Sequence, residues 1–256
     1  KELPVFPEFG GRLWSVPKNR RPFFPPTVWA KVKRVALQRA SDQTLDKLQA
    51  QRRKELYGFM MLSVGAALNP SEANSLRWKH CELTTIGGIE CVRLVLGGKH
   101  LRHAETARNV RHRRKGWALF DGVTGFKYLK RLCPHAKPDD KLFQHDNAKG
   151  IVRLLKSCGE REDPKTGMYR DGKSLRPTGI SLRLMMESNP SYKDIADWAR
   201  TTEQHIADFY DQVDPEWRVR RMLGAARETP KERERREKLE KLRLQIAIEA
   251  MQDNDD

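Results

Sequence analysis

In "CELTTIGGIECVRLVLGG" (Cys81–Gly98) apolar and polar residues alternate on either side of Gly87-Gly88. A period of two predicts paired strands, and a Gly-Gly pair supplies the positive φ that a two-residue hairpin turn needs. "WALF" (Trp117–Phe120) predicts a third strand. Outside this stretch the patterns between residues 26 and 215 are helical. The expected class is therefore mainly α with a small three-stranded antiparallel sheet.

Before the hairpin, "PPTVWAKVKRVALQRA" puts Val28, Val32 and Val35 or Ala36 on one stripe of a helix. "RRKELYGFMMLSVGAAL" is more apolar and predicts a buried helix, and Pro70 opens a third, "PSEANSLRW", behind Asn69. After the hairpin come "GFKYLKRL", "KGIVRLLKSC", a polar loop from Gly159 to Gly172, and three short helices in "SLRPTGISLRLMMES", "SYKDIADWAR" and "TEQHIADFYDQ". Pro177 fits only the first turn of its helix, because it has no N–H to donate.

The ends differ from the middle. Residues 1–25 hold Pro4, Pro7, Pro17, Pro22 and Pro25 with Gly10 and Gly11, a linker composition that leads to the expectation of a further domain before Lys1. Residues 216–256 form a tail whose "TPKERERREKLEKLRLQIAIEAM" begins with a capping box, Thr229 and Glu232 around Pro230. Its narrow stripe of Leu239, Leu242, Ile246 and Ala250 fits either docking on its own domain or packing on a neighbouring protomer.

Fifty Lys and Arg against 34 Asp and Glu give a formal charge of +16. Such an excess suits a polyanion, nucleic acid first. A basic membrane-surface helix is the competing explanation, and no long apolar span, signal peptide or lipidation motif supports it. Cys81, Cys91, Cys133 and Cys158 form no C-x-x-C pair and read as reduced thiols of a cytosolic protein. His100 and His103 lack a third ligand, so no metal site is expected. No Walker loop, G-x-G-x-x-G, G-x-S-x-G or H-E-x-x-H is present, so the common nucleotide-binding and hydrolytic classes are not indicated. The segment "KHLRHAETARNVRHRRK" (Lys99–Lys115) is a basic loop whose His100, Arg102, Arg108, Arg111, Arg113, Arg114 and Lys115, with Arg77 and Arg200 elsewhere, are candidate DNA-binding residues.

Tyr210, in "HIADFYDQVD", shares a helix face with Ile206. It reads either as a core aromatic or as a phenol meant for chemistry. A tyrosine can attack a phosphodiester and conserve its bond energy as a phosphotyrosine, which needs neither nucleotide nor metal. That chemistry needs cations around the phosphate, arginine above all, and an acid for the leaving oxygen.

Three pieces, "LNPSEANSLRW" (Leu68–Trp78), "KSLRPTGIS" (Lys173–Ser181) and "RTTEQHIADFYDQV" (Arg200–Val213), stand in the order and spacing of the tyrosine recombinases, the phage-type integrases. The resemblance runs from about Pro25 to Val213, the catalytic domain of that family. It implies the DNA breaking-rejoining fold, a double-stranded DNA partner, no cofactor, a 3′-phosphotyrosine and a tetramer on two duplexes with C-terminal segments exchanged. It also implies a DNA-associated cytoplasmic protein of a bacterial or phage-type mobile element, with a core-binding domain before Lys1.

Residue by residue, Tyr210 matches the nucleophile and Arg176 the second arginine of the phosphate clamp. Glu72 matches the acid three residues after the first arginine, but that arginine's own slot holds Asn69. Lys173 stands where a histidine is usual, Pro177 where a histidine commonly follows the arginine, and Thr201 in the His/Trp slot, where some branches read G-T-S. The hairpin lysine matches Lys99, although a second alignment puts Glu105 there. Asn69 is either compensated by a nearby base, Arg77 or Arg111, or an engineered change. Two functions follow: a site-specific recombinase, or an impaired DNA-binding protein on the same fold acting as a regulator or accessory factor.

Overall fold

Gly87 and Gly88 both take positive φ, 57° and 79°, as a type I′ turn requires. Ile86 pairs with Ile89 across that turn, joining β1 (Cys81–Ile86) to β2 (Ile89–Leu96). A third strand, β3 (Arg114–Ala118), adds antiparallel to the other edge of β2, giving the order β1-β2-β3. The computed structural model describes residues 21–96, 114–186 and 190–210. Lys99, His100, Arg102, Glu105, Arg108, Arg111 and Arg113 lie outside the described residues, as do the linker up to residue 20 and the tail from 216.

The third strand starts earlier than "WALF" implies and stops at Ala118. The Leu119 N–H leaves the sheet for the carbonyl of Gly65, at 2.9 Å. Phe120 then takes φ 47° as the chain turns into α4 (Asp121–Leu132).

Around the sheet stand α1 (Pro26–Ala40), α2 (Lys47–Gly65), α3 (Pro70–Asn74), α5 (Ala148–Cys158), α6 (Leu175–Leu184) and α7 (Tyr192–Ala199). A final turn, Glu203–His205, widens into a π-turn over Ile206–Tyr210. The centre is α2, buried without a break from Glu55 to Gly65 and packed against α1, α4 and α6. The C-terminal half of α2, from Leu56 on, carries no charged side chain and so has no solvent face to offer, while its first half is polar and largely exposed. In α1 the buried stripe is Trp29, Val32, Ala36 and Ala40: Val32 and Ala36 stand where expected, while Trp29 takes the place of Val28, which is only partly buried. The indole carries more apolar area than a valine, and its Nε1 donates to Asp121 Oδ2 at 2.7 Å.

"PSEANSLRW" is helical only to Asn74. Beyond it the backbone pairs with a distant segment: Trp78 N–H to Asp140 carbonyl at 3.1 Å, Lys79 N–H to Pro138 carbonyl at 2.8 Å, and Leu142 N–H to Leu76 carbonyl at 2.9 Å. These long-range bonds override local helical preference.

Two packing features carry α6 to its place. A Cβ on Gly179 would fall inside contact distance of the Val64 carbonyl, so glycine lets α6 touch the backbone of α2. Thr178 Oγ1, fully buried, accepts from Phe24 N–H at 2.9 Å. The preceding polar loop is pinned by Arg170, 1% exposed, which donates to the carbonyls of Phe23 and Glu162 and to Asp163 Oδ1 at 2.6 Å. Nothing in the local pattern marks this arginine as interior.

Candidate functional site

Pro177 falls in the first turn of α6, where no hydrogen bond is lost. That turn presents Arg176, 7% exposed, to the interior. Its Nη1 donates to the Ala67 carbonyl and its Nη2 to the Ala199 carbonyl, at 2.6 Å. Nε faces the Tyr210 hydroxyl at 3.3 Å. The main-chain bonds hold the guanidinium plane so that its third edge meets the phenol.

Tyr210 sits in the π-turn, half-buried, while Ile206 is fully buried. The Ser181 hydroxyl donates to the Tyr210 carbonyl at 3.0 Å, tying the turn to α6. Single π-turns recur at functional sites because the wider turn re-aims a side chain.

A cleft of about 530 Å³ opens onto this pair, and Asn69, Lys173, His205 and Tyr210 line it with Arg176. Lys173 is exposed on a 3₁₀ turn, Gly172–Ser174, capped by Asp171. Asn69 holds the N-cap position of α3, in a capping box with Glu72. The reciprocal half of the motif is present: Glu72 Oε2 accepts from Asn69 N–H at 2.8 Å.

Glu72 also stands 4.0 Å from Arg176 Nη1 and 3.6 Å from Arg200 Nη2. Arg200, expected on a DNA-facing surface, instead buries its side chain to 5% exposure. Its Nη2 donates to the carbonyls of Ala66 and Ala67, both at 3.1 Å, and its Nη1 to Trp198 at 3.0 Å. Arg77, a candidate to make up for Asn69, points elsewhere and bonds the Asp139 carbonyl.

A second opening, about 680 Å³, is lined by Lys115, Asp197, Arg200, Thr201, Thr202 and His205. His205 borders both clefts, and the spacing of the motifs did not single it out. Its ring lies edge-on to Tyr210 with centroids 5.4 Å apart. Burial and the charge of Arg176 hold its imidazole below the usual value, with Asp208 opposing. Arg114 opens β3 and Lys115 follows it on that strand.

Backbone strain marks the same place. Among the described residues Ala67, Phe120 and Arg200 have positive φ without being glycine. Ala67 and Arg200 meet here, and such conformers persist where the surroundings over-determine them. Burial pushes the Cys81 thiol up to about 12 and raises Cys133 and Cys158, so these three are thiols, not thiolate nucleophiles, at neutral pH. No three His, Cys, Asp or Glu side chains among the described residues are grouped to hold a metal.

A helical unit with one three-stranded antiparallel sheet after its third helix, and an arginine–tyrosine pair between α6 and a terminal turn, has the fold of a tyrosine recombinase catalytic domain. The XerH site-specific recombinase bound to palindromic difH substrate in a post-cleavage complex superposes with TM-score 0.57 at 13% identity, over 84% of this chain and 56% of that one. Its pre-cleavage complex with difH gives 0.53 at 13%, over 78% and 53%. XerA recombinase gives 0.51 at 13%, over 82% and 66%. The chain therefore spans little more than half the length of the XerH chains. No protein-family model and no curated protein sequence matches it. No helix among the described residues is long and apolar enough to cross a membrane.

Proposed function

We propose that this chain is the catalytic part of a site-specific DNA recombinase that cuts and rejoins duplex DNA through a 3′-phosphotyrosine. The observation that carries the reading is the 3.3 Å approach of Arg176 Nε to the Tyr210 hydroxyl inside a cation-lined cleft. The Tyr210 oxygen attacks phosphorus and gives up its proton to water in the open cleft. The bond from phosphorus to the 5′ oxygen breaks, and that oxygen takes a proton from the hairpin lysine, Lys99. Charge growing on the non-bridging oxygens is met by Arg176 and Lys173. Glu72 is a positioning residue beside both arginines, and Thr201 lines the adjoining cleft next to Thr202, which caps the terminal turn.

DNA is the partner that the +16 charge and the DNA-bound relatives of this fold favour. Assembly as a tetramer on two duplexes, with the 216–256 tail exchanged, belongs to the same proposal, as does an origin in a bacterial or phage-type mobile element. One observation favours a second reading, an impaired DNA-binding accessory factor: Asn69 carries no charge where the clamp's first arginine is expected.

The test is a pool of nicked duplexes of randomised sequence, in which the nick traps any cleaved strand. The recombinase reading expects a covalent protein–DNA species that Tyr210→Phe abolishes. Salt-sensitive DNA binding without any covalent species, in wild type and variant alike, would establish the accessory factor instead.

A further inference from the structure

We infer that Arg200 supplies the second guanidinium of the phosphate clamp, in place of the arginine that position 69 lacks. The inference rests on the recombinase reading and assigns a group that the motif spacing does not.

Arg176 and Arg200 share two partners. Both donate to the carbonyl of Ala67, and both face Glu72 Oε2, at 4.0 and 3.6 Å. Two nearly buried cations beside one carboxylate leave a local excess of positive charge, which an entering phosphate would balance. Asp197, exposed, is the carboxylate that lines the second cleft.

The route taken by Arg200 is costly. It ends α7 in the left-handed conformation, φ 59°, a position glycine fills without strain. From there its side chain runs inward beneath β3. A Cβ on Gly116 would lie 3.2 Å from Arg200 Nη1, so the strand passes over the guanidinium with little room. An arginine at such a position is unfavourable as a mere helix terminator. It makes sense if the charge is wanted where it ends up.

Asn69 lines the cleft of Arg176 and Tyr210, Arg200 lines the adjoining one, and His205 borders both. A phosphate between them takes Arg176 from one side and Arg200 from the other. As the bond to the 5′ oxygen breaks and the bond to Tyr210 forms, Arg200 neither gains nor loses a proton. It only neutralises charge on the non-bridging oxygens.

The experiment uses the full chain and the nicked pool, from which wild type first captures its own substrate. Arg200→Gly, which relieves the left-handed strain, is expected to slow adduct formation about 10²-fold or more while the protein stays folded by thermal melting. Asn69→Arg added to Arg200→Gly is expected to recover about tenfold or more, because the guanidinium returns from the other wall. On a substrate whose scissile phosphate is a methylphosphonate, one anionic oxygen is gone, and the deficit of Arg200→Gly should narrow. Arg200→Lys, which keeps the charge but not the fork, serves the same comparison should the glycine variant unfold.

A folded Arg200→Gly that cleaves within about threefold of wild type overturns the assignment. So does a deficit that neither Asn69→Arg nor the methylphosphonate reduces, which would make Arg200 a structural strut. If wild type binds the pool but forms no adduct, the recombinase reading itself fails and this inference falls with it.

Discussion

Arg176 holds the Tyr210 hydroxyl with the one guanidinium edge that its two main-chain carbonyl bonds leave over. In the free protein the phenol thus occupies a donor that a phosphate oxygen would claim. Tyr210→Phe should abolish the covalent species yet leave DNA affinity equal or up to about tenfold tighter, since one net hydrogen bond is worth about 1 kcal/mol. Fluorescence anisotropy beside a denaturing gel measures both. A variant that loses affinity by more than that would show that Tyr210 is needed to shape the cleft.

Gly179 sets how deeply α6 seats on α2, and Arg176 travels with it. Gly179→Ala should destabilise the protein by about 1–3 kcal/mol, because a methyl group has nowhere to go against the Val64 carbonyl. Chemical denaturation reads the loss. Unchanged stability would mean that the two helices separate freely.

Lys173 is exposed at the cleft mouth, where a lysine would meet a phosphate as a point charge. Lys173→Gln should weaken binding uniformly across DNA sequences and lower the slope of log affinity against log salt by about one. Titrations at several salt concentrations give that slope. A variant with the wild-type slope would place Lys173 away from the backbone path.

His205 is held below the usual imidazole value by burial and by Arg176. The unfolded chain takes up this proton first as pH falls below about 6.5, so acid favours unfolding at this residue. Its contribution is fully present above that pH and is lost on acidification towards the depressed folded-state value. Melting temperatures of wild type and His205→Gln between about pH 8 and pH 5 should differ most at the alkaline end. A wild-type advantage that grows in acid would require a charged His205 in the fold.

Much of the architecture is legible in local pattern. The Gly87-Gly88 hairpin, the apolar second half of α2 and the first-turn position of Pro177 all rest on physics that acts within a few residues. The misreadings share a cause. Helix 70–78 is cut short by hydrogen bonds to residues 138–142, β3 ends when Leu119 N–H reaches Gly65, and the α1 stripe turns towards Asp121. Each is settled by a partner far away in the chain.

The same division runs through the site. The resemblance to the tyrosine recombinases pointed to Arg176, Tyr210, Glu72, Lys173 and Asn69 as one constellation; helix pitch by itself relates only near neighbours, such as Asn69 with Glu72 or Lys173 with Arg176. The path of the Arg200 side chain, the place of His205 between two clefts, and the turning away of Arg77 to Asp139 were open until the chain was folded. A long side chain can point to solvent or to the interior from one and the same sequence. Which way it points depends on carbonyls and carboxylates brought to it by other elements, here Ala66, Ala67 and Glu72, and only tertiary packing delivers those.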